Sequence, residues 1–290
     1  MINRIRGDFA GIPSTPIAIK RILVGLAGTP STPVAIQRAL ELAQRYHAKV
    51  TGVTLMDKSG LLDDEAETAG QVIAGRKQLA NAENRIEQSV ARFHVACDEA
   101  GVRQRRIVQE TEAPFTKLIE LARYHDLMVF GLKSIFENDF LCQDPEGLLV
   151  RIVAAGVRPL IAVTDKYRTI NRVLIAYSGS MESAKSMKRF VQMRLFPDAQ
   201  LKIVTCGNSE HKGQQLLEDA ADYCRAHGFS VECQVSPDSP KTFLLEEAGR
   251  WQADLIVMGN SARSVLMRRA FGGTARKIVR NSKVPLFLAQ

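Results

Sequence analysis

Short continuous apolar runs alternate along this chain with longer stretches in which apolar residues keep helical spacing. Continuous runs are typical of strands buried on both faces, and spacing of three and four residues is typical of amphipathic helices. Ile36, Leu40 and Ala43 share one helical stripe, and a second, longer helix carries Ile86 to Cys97. The runs predict strands at 21–26, 49–55, 105–109, 127–131 and 159–163, and again at 172–177, 200–205, 230–235, 254–258 and 284–289.

Regular alternation of strands and helices indicates an α/β fold with a parallel sheet covered on both faces. Ligands of such sheets bind beyond the carboxyl ends of the strands, at the point where the strand order reverses. In this chain, turns of small residues follow the first and the fourth predicted strands, which places them at that edge of the sheet.

The chain repeats itself, because three landmarks recur in the same order at similar spacing. We therefore predict two tandem repeats of a doubly wound, five-stranded parallel sheet of Rossmann-like form. The first half spans residues 20–165, the second half spans 170–290, and residues 1–19 form an N-terminal extension. The matching segments are KRILVGLAGT (20–29) with NRVLIAYSGS (171–180), DLMVFG (126–131) with DLIVMG (254–259), and VRPLIAV (157–163) with KVPLFLA (283–289).

The last strand of each half is apolar and would lie at a sheet edge. Leu160 begins one of these strands and Leu286 begins the other. Because exposed edge strands need cover, we expect the two halves to pair through them as an intramolecular pseudo-dimer.

Residues 254–290 have the order of a phosphate-binding segment. An apolar run ends at Gly259, a basic linker follows, and Gly272-Gly273 stand directly before a helical pattern. Backbone N–H groups of a glycine turn and of a helix start are donors to anions. The segment predicts a nucleotide or another anion as the ligand of the second half.

The composition excludes several classes of partner. The net charge is +8, but the basic residues form no long runs with interleaved aromatics, which argues against a nucleic-acid partner. The five cysteines show no paired spacing and the histidines no metal-ligand spacing, so we expect free thiols and no metal. The longest apolar stretch, 148–163, contains two arginines and is too short for a bilayer. We therefore expect a cytoplasmic protein without a membrane partner.

The repeated landmarks resemble the universal stress protein family in its tandem form. Nucleotide-binding members carry a Gly, two residues, a second Gly, nine residues, and a Gly followed by Ser or Thr. The second half keeps this spacing, with Ala262 where the second Gly is expected and Gly273 where the hydroxyl residue is expected. The family's Asp in the first turn, which contacts the nucleoside, is Ser178 in this chain.

The resemblance implies a site for ATP or another adenine nucleotide in the second half, with Mg²⁺ left open. Thr274 follows Gly273 and could restore the missing hydroxyl. The candidate binding residues are Ser178, Gly179, Ser180, Gly259, Asn260, Ser261, Ala262, Arg263, Gly272, Gly273 and Thr274.

The first half departs further from the family pattern. Ala27 occupies the Asp position, Lys133-Ser134 follow Gly131, and Glu146-Gly147 replace the glycine pair. A carboxylate repels a phosphate strongly in a partly desolvated pocket. We therefore expect a degenerate site in the first half.

Two further segments have a structural and a functional interpretation. Residues 178–183 echo the pyrophosphatase loop of ATP-cleaving enzymes, but a turn that ends in a helix N-cap is favoured. Asp126 and Asp254 precede the fourth strands and are interpreted as structural start signals. No segment resembles a nucleophile–base pair, so we expect a protein that is not an enzyme, apart from slow nucleotide hydrolysis.

The leading hypothesis is a stress-response protein whose second half binds adenine nucleotide and thereby regulates its conformation or partner choice. The alternative is a nucleotide-independent interaction protein built as a tandem pseudo-dimer. An ATP-using enzyme of the same superfamily is the third hypothesis. A homodimer and an unidentified protein partner stay open in each of them.

Overall fold

The fold was taken from a computed structural model, which describes residues 18–56, 69–111, 114–132, 159–207, 209–259 and 273–289. The first half contains β1 (Arg21–Gly25), α1 (Thr32–Tyr46), β2 (Lys49–Leu55), α2 (Ala69–Glu99), β3 (Arg105–Glu110), α3 (Pro114–Ala122), β4 (Leu127–Gly131) and β5 (Leu160–Val163). The second half contains β6 (Arg172–Ala176), α4 (Met181–Met193), β7 (Gln200–Cys206), α5 (Glu210–Ala226), β8 (Val231–Ser236), α6 (Pro240–Arg250), β9 (Leu255–Gly259), α7 (Gly273–Asn281) and β10 (Leu286–Ala289).

All ten strands form one sheet in the order β3-β2-β1-β4-β5-β10-β9-β6-β7-β8. Within each half the neighbouring strands are parallel, so the predicted doubly wound, five-stranded arrangement is confirmed twice. The order reverses between β1 and β4 in the first half and between β6 and β9 in the second.

The two halves meet where β5 pairs with β10, and this pair is antiparallel, with Ile161 opposite Phe287. The expected pairing of the two terminal strands is therefore present. Because the strands of the two halves run in opposite directions, the carboxyl edge of one half lies on the same side of the sheet as the amino edge of the other.

The sheet is buried on both faces, which explains its continuous apolar strands. Ile22 and Val24 point to one face with α1, α2, α4 and α5, whereas Leu23 points to the other face with α3, α6 and α7. At the centre of the first face, the ring of Phe287 meets that of Phe190 edge-on, with 5.3 Å between centroids. One core therefore runs across the junction between the halves.

The two aspartates interpreted as start signals hold the beginnings of the central strands together. Asp126 Oδ2 accepts hydrogen bonds from the backbone N–H groups of Lys20 (2.8 Å) and Arg21 (3.0 Å). Asp254 Oδ2 accepts hydrogen bonds from the backbone N–H groups of Asn171 and Arg172, both at 3.0 Å. Their structural role is confirmed.

Helix α2 is longer than the sequence pattern predicted. The acidic and then Gly/Ala-rich sequence of residues 57–75 predicts a loop that enters this helix. The helix instead begins at Ala69 and has 31 residues, against 17 in its counterpart α5. The extra turns at its amino end, AGQVIAGRKQ, consist mainly of Ala, Gly and polar residues, and Ile73 among them is 67% exposed. Those turns have no apolar stripe, so periodicity alone could not place the start of the helix.

Helix α1 joins the halves on the first face. Arg45 Nη1 donates to the carbonyl of Leu195 at 2.8 Å, and the Tyr46 hydroxyl donates to the carbonyl of Arg194 at 2.6 Å. Arg194 is the C-cap residue of α4, where helices leave their last acceptors without an internal partner, and Leu195 follows it directly. The first half thus completes the hydrogen bonding of a helix in the second.

Candidate functional site

The candidate site lies at the carboxyl edge of the second half, between β6 and β9. β6 pairs with β7 on one side and with β9 on the other, so the crevice of a doubly wound sheet is at the ends of these two strands. The chain leaves β6 through Ser178-Gly179-Ser180 and leaves β9 at Gly259.

The turn after β6 brings three serine hydroxyl groups together at the start of α4. Ser180 is the N-cap residue, and its Oγ accepts from the backbone N–H of Ser183 at 3.2 Å. The Ser178 hydroxyl donates to Ser180 Oγ at 3.1 Å, and the Ser183 hydroxyl donates to the Ser180 carbonyl at 2.9 Å. This geometry confirms the N-cap interpretation of the segment.

Gly179 gives this turn its shape. Its φ of 74° is in the left-handed region, where residues with a Cβ are strained. A Cβ at this position would also lie 2.8 Å from Cδ1 of Leu216 on α5. The left-handed backbone conformation therefore favours glycine, and a Cβ would displace only the end of the Leu216 side chain.

Gly259 lies directly against the first turn of α4. A Cβ at this position would be 2.5 Å from the carbonyl oxygen of Glu182 and 2.9 Å from the backbone nitrogen of Ser183. The end of β9 and the capped helix start are thus in contact, which a side chain at 259 would prevent. The structure brings together two of the predicted segments that are far apart in sequence.

The remaining predicted residues divide into two groups. Gly273 is the first residue of α7, and Thr274 is its second residue and partly buried. Because α7 leads back to the amino end of β10, which is parallel to β9, its first turn lies on the same side of the sheet as Gly259. Asn260, Ser261, Ala262, Arg263 and Gly272 lie outside the described residues.

Sequence reasoning missed Ser183. This side chain is buried and links the hydroxyls of Ser178 and Ser180 through contacts at 3.4 and 3.3 Å. The signal was present in the sequence, because a serine three residues after an N-cap serine faces the cap. Ser183 was assigned only to the helix start.

The corresponding turn of the first half has a different neighbour. Gly28 has a φ of 68°, and a Cβ there would lie 2.8 Å from Arg85 Cβ and 2.9 Å from the Arg85 carbonyl carbon. The turn therefore packs against the backbone of α2, whereas Gly179 meets only the end of the Leu216 side chain. Lys133, Ser134, Glu146 and Gly147 lie outside the described residues.

The described cysteines, at positions 97, 206, 224 and 233, are free thiols. Burial raises the pKa of Cys97 and of Cys206 to about 11, and that of Cys224 to about 12. Such thiols are protonated at neutral pH and therefore weak nucleophiles. Cys142 lies outside the described residues.

In the part of the chain that the structure describes, no group of three His, Cys, Asp or Glu side chains could hold a metal ion. Among the same residues, no helix combines the length and the apolar character needed to cross a bilayer.

Comparison with known proteins assigns the family. The profile of the Universal stress protein family matches residues 18–134 and 207–290. A universal stress protein of Synechocystis is 23% identical over 211 residues, which are 72% of this chain and 69% of that protein. A solved universal stress protein of Archaeoglobus fulgidus has a TM-score of 0.63 at 15% identity and covers 93% of this chain and 96% of its own. The solved structure of a putative universal stress protein of Pseudomonas aeruginosa has a TM-score of 0.60 at 15% identity and covers 94% of this chain and 93% of its own. Both solved structures therefore share the tandem fold. Since the family profile matches more than half of the residues, the chain belongs to the universal stress protein family.

Proposed function

We propose that this chain is a non-catalytic stress-response protein that binds ATP or another adenine nucleotide in its second half. The observation that carries the proposal is the contact between Gly259 and the capped start of α4, at the point where the strand order reverses. Here two chain segments with backbone donors and hydroxyl groups converge at the edge where doubly wound sheets bind ligands.

The proposed roles follow from position. Ser178, Gly179 and Ser180 form the nucleoside side of the site, where the Ser178 hydroxyl offers a hydrogen bond without a charge. The phosphates lie at the amino end of α7, next to Gly272, Gly273 and Thr274. Asn260, Ser261, Ala262 and Arg263 are assigned to the same site because the sequence keeps the spacing of the family motif there. A helix start favours negative charge through its unpaired N–H groups.

We assign the first half a structural role. Its turn at Gly28 packs on the backbone of α2, and its sequence places Glu146 where the phosphate-binding glycine would be. The proposed domains are residues 20–165 and 170–290, after an extension of residues 1–19. The free thiols of the described cysteines fit a reducing compartment, so we place the protein in the cytoplasm.

Equilibrium binding of labelled ATP to the full chain, with and without Mg²⁺, tests the proposal. We expect saturable binding that Gly272→Glu abolishes, because the new carboxylate repels the phosphates. Gly75→Glu is the matched control, since a Cβ at Gly75 meets nothing within 4 Å. Binding should survive in this control. No saturable binding at millimolar nucleotide, or unchanged binding by Gly272→Glu, would contradict the proposal.

The alternative is a nucleotide-independent interaction protein, and it is favoured by one observation, the continuous core across the β5–β10 junction. It predicts that a partner is retained equally by the wild type and by Gly272→Glu. For the third hypothesis, an ATP-using enzyme, the distinguishing measurement is product formation above the spontaneous rate.

A further inference from the structure

Six cationic side chains gather at the amino edge of the first half, and we call them the basic edge. They come from the starts of β1, β2 and β3 and from the end of α3. They are Lys20, Arg21, Lys49, Arg103, Arg106 and Arg123, of which Arg21 is partly buried and the others are exposed. Because they are spread over residues 20–123, no basic run of the sequence contains them, and the surface exists only in the folded chain.

Strand register places three of these cations side by side. Arg21 on β1 is opposite Lys49 on β2, and Arg106 on β3 is opposite Thr51 on β2. Leu23, which is also opposite Thr51, points to the second face of the sheet. Since side chains alternate along a strand, Arg21, Lys49 and Arg106 belong to that face as well. Neighbouring strands are about 4.8 Å apart, so the three cations span a width of about 10 Å across the sheet.

An exposed aromatic ring lies at the same corner. Thr51 Oγ1 accepts a hydrogen bond from Arg106 Nε at 3.2 Å and lies 2.9 Å from His125 Nε2. Tyr124 directly precedes His125, and its side chain is 68% exposed. Cations that bind phosphates, beside a ring on which an unpaired base stacks, are the two components of a surface for single-stranded nucleic acid.

The carboxylates nearest to the basic edge are already engaged. Oδ2 of Asp126 accepts hydrogen bonds from the backbone N–H groups of Lys20 and Arg21. Asp98 pairs with Arg105, which is not part of the basic edge, at 2.7 Å. Within the described part of the chain, the six cations themselves form no ion pair. Their charges are therefore available to a ligand.

The helix ends at this edge do not supply free acceptors to the same corner. At the end of α3, the Leu121 carbonyl accepts from the backbone N–H of Tyr124 at 3.1 Å and from Nδ1–H of His125. Glu99 ends α2, which lies on the opposite face of the sheet. The second face of the amino edge is therefore positive.

The second half provides an internal comparison. The residues that correspond in register to Lys20, Lys49 and Arg106 are Asn171, Gln200 and Glu232. Gln200 Nε2 donates to Glu232 Oε1, so an amide bonded to a carboxylate stands where the first half has two cations. The concentration of positive charge is thus a property of the first half and not of the repeat.

We propose that the basic edge and Tyr124 bind single-stranded nucleic acid, with Lys49, Arg106 and Arg123 on the phosphates and the Tyr124 ring on a base. The exposed ring favours nucleic acid over an acidic protein segment, which would use the cations alone. It also favours a single strand over a duplex, whose bases are already stacked. The sequence predicted no nucleic-acid partner because it has no basic run, whereas the fold assembles the charges from four elements.

The basic edge is separate from the proposed nucleotide site. Both lie on the same side of the sheet, because the strands of the two halves run in opposite directions. Four strand spacings, roughly 19 Å, separate β1, which carries Arg21, from β9, which carries Gly259. Binding at the basic edge therefore does not depend on the nucleotide site.

Fluorescence anisotropy of a labelled oligo-dT of about 15 nucleotides, titrated with the full chain at about 50 to 200 mM salt, measures this binding. Lys49→Gln combined with Arg106→Glu installs the residue types that the second half has at the same register positions. We expect about tenfold weaker binding at low salt. The slope of log affinity against log salt should be smaller by roughly 1.4, since each lost phosphate contact removes about 0.7.

Tyr124→Ala should weaken binding about tenfold through the loss of base stacking, without changing the salt slope. The matched control is Lys166→Gln combined with Lys283→Glu, which changes the net charge equally at exposed side chains on the opposite side of the sheet. This control should bind as the wild type does, and so should Gly272→Glu. Thermal unfolding of each variant verifies that it is folded.

Absence of an anisotropy change up to about 100 μM protein at about 50 mM salt would overturn the proposal. An equal loss of affinity in the control pair would overturn it as well, because binding would then follow net charge and not the basic edge. The surface would belong to another partner if a polyglutamate of about 15 residues, or a duplex of similar length, bound as tightly as oligo-dT and Tyr124→Ala had no effect.

Discussion

Lys202 on β7 and Glu247 on α6 form a buried ion pair, with 2.6 Å between Nζ and Oε1. Glu247 is 1% exposed, and its second carboxylate oxygen accepts from Arg250 Nε at 2.7 Å. The buried carboxylate is therefore paired with two cations. The pair connects α6 to β7 on the second face of the sheet.

Breaking this pair should be costly. Lys202→Met would leave the Glu247 carboxylate buried with Arg250 as its remaining cation, and we expect a loss of about 1.5–3 kcal/mol of unfolding free energy, the contribution of one hydrogen bond to a charged group. Lys202→Met combined with Glu247→Leu should recover most of that loss, because no buried charge is left unpaired. Urea unfolding measures both, with the exposed Lys185→Met as control. Equal stability of the single variant and the wild type would contradict the assigned role.

The same pair predicts acid sensitivity. Burial alone would raise the pKa of Glu247, but the hydrogen bonds from Lys202 and Arg250 outweigh it, so the net pKa is lowered. A carboxyl group with a lowered folded pKa stabilises the protein above its unfolded pKa, and this contribution is lost as pH falls through the folded value. The double variant should therefore lose less stability than the wild type between about pH 5 and pH 3.

Gly259→Ala tests the contact between β9 and α4. The added methyl group would lie 2.5 Å from the Glu182 carbonyl, so the helix start must move. We expect about 1–3 kcal/mol of destabilisation and weaker ATP binding. Gly249→Ala on α6 is the control, because a Cβ there meets nothing within 4 Å and alanine favours the helix. Thermal unfolding measures the stability and equilibrium binding measures the affinity for ATP. If Gly259→Ala bound ATP as tightly as the wild type, this contact would not be part of the proposed nucleotide site.

His125 should make the first half sensitive to mild acid. Its Nδ1–H donates to the Leu121 carbonyl and its Nε2 accepts from the Thr51 hydroxyl at 2.9 Å. Burial lowers the pKa of His125, and the positive charges of Arg21 and Arg106 act in the same direction. The unfolded chain therefore takes up a proton near pH 6.5 that the folded protein does not, so stability decreases as pH falls below that value.

In His125→Gln the unfolding free energy should decrease less than in the wild type as the pH falls from about 7 to about 5. The exposed His211→Gln serves as the control and should retain the wild-type slope. An unchanged slope in His125→Gln would show that another group is responsible.

Phe287→Ala should weaken the junction between the halves. The side chain is fully buried on β10 and meets Phe190 edge-on, so we expect a loss of about 3–5 kcal/mol. In the wild type, unfolding followed by Trp251 fluorescence, which reports on the second half, should coincide with unfolding followed by circular dichroism. In the variant the two transitions should separate. Tyr124→Ala, at a side chain that is 68% exposed, should leave them coincident.

The sequence predicted the parts of the fold that depend on local periodicity. The run at 127–131 coincides with β4, and the terminal strands pair as their apolar edges required. Lys202 shows the limit of this reasoning. It alternates with Leu201 and Ile203 as a solvent-facing residue of a strand would, yet its partner Glu247 is 45 positions away. Periodicity does not reveal a polar pair formed by the tertiary fold.

The candidate site was chosen by a combination of spacing and topology, and it stays a prediction. Gly259 and Ser180 were chosen separately, and the structure brings their segments into contact. The groove lined by Arg168, Arg172 and Lys283 at the amino edge of the second half was not predicted, because its walls come from the ends of several elements and share no motif. The ends of these elements come together only in the folded chain.

The antiparallel junction of β5 and β10 has a consequence for the way the protein responds to dilution and to mutation. Both strands belong to one chain, so their pairing is intramolecular and does not depend on protein concentration. In a symmetric dimer, each substitution would alter both copies of a site at once. Here a change such as glutamate at 146 affects one half only, and the other half is free to keep its glycine at 272. Joining the repeats therefore lets the sequences of the two halves diverge independently of each other.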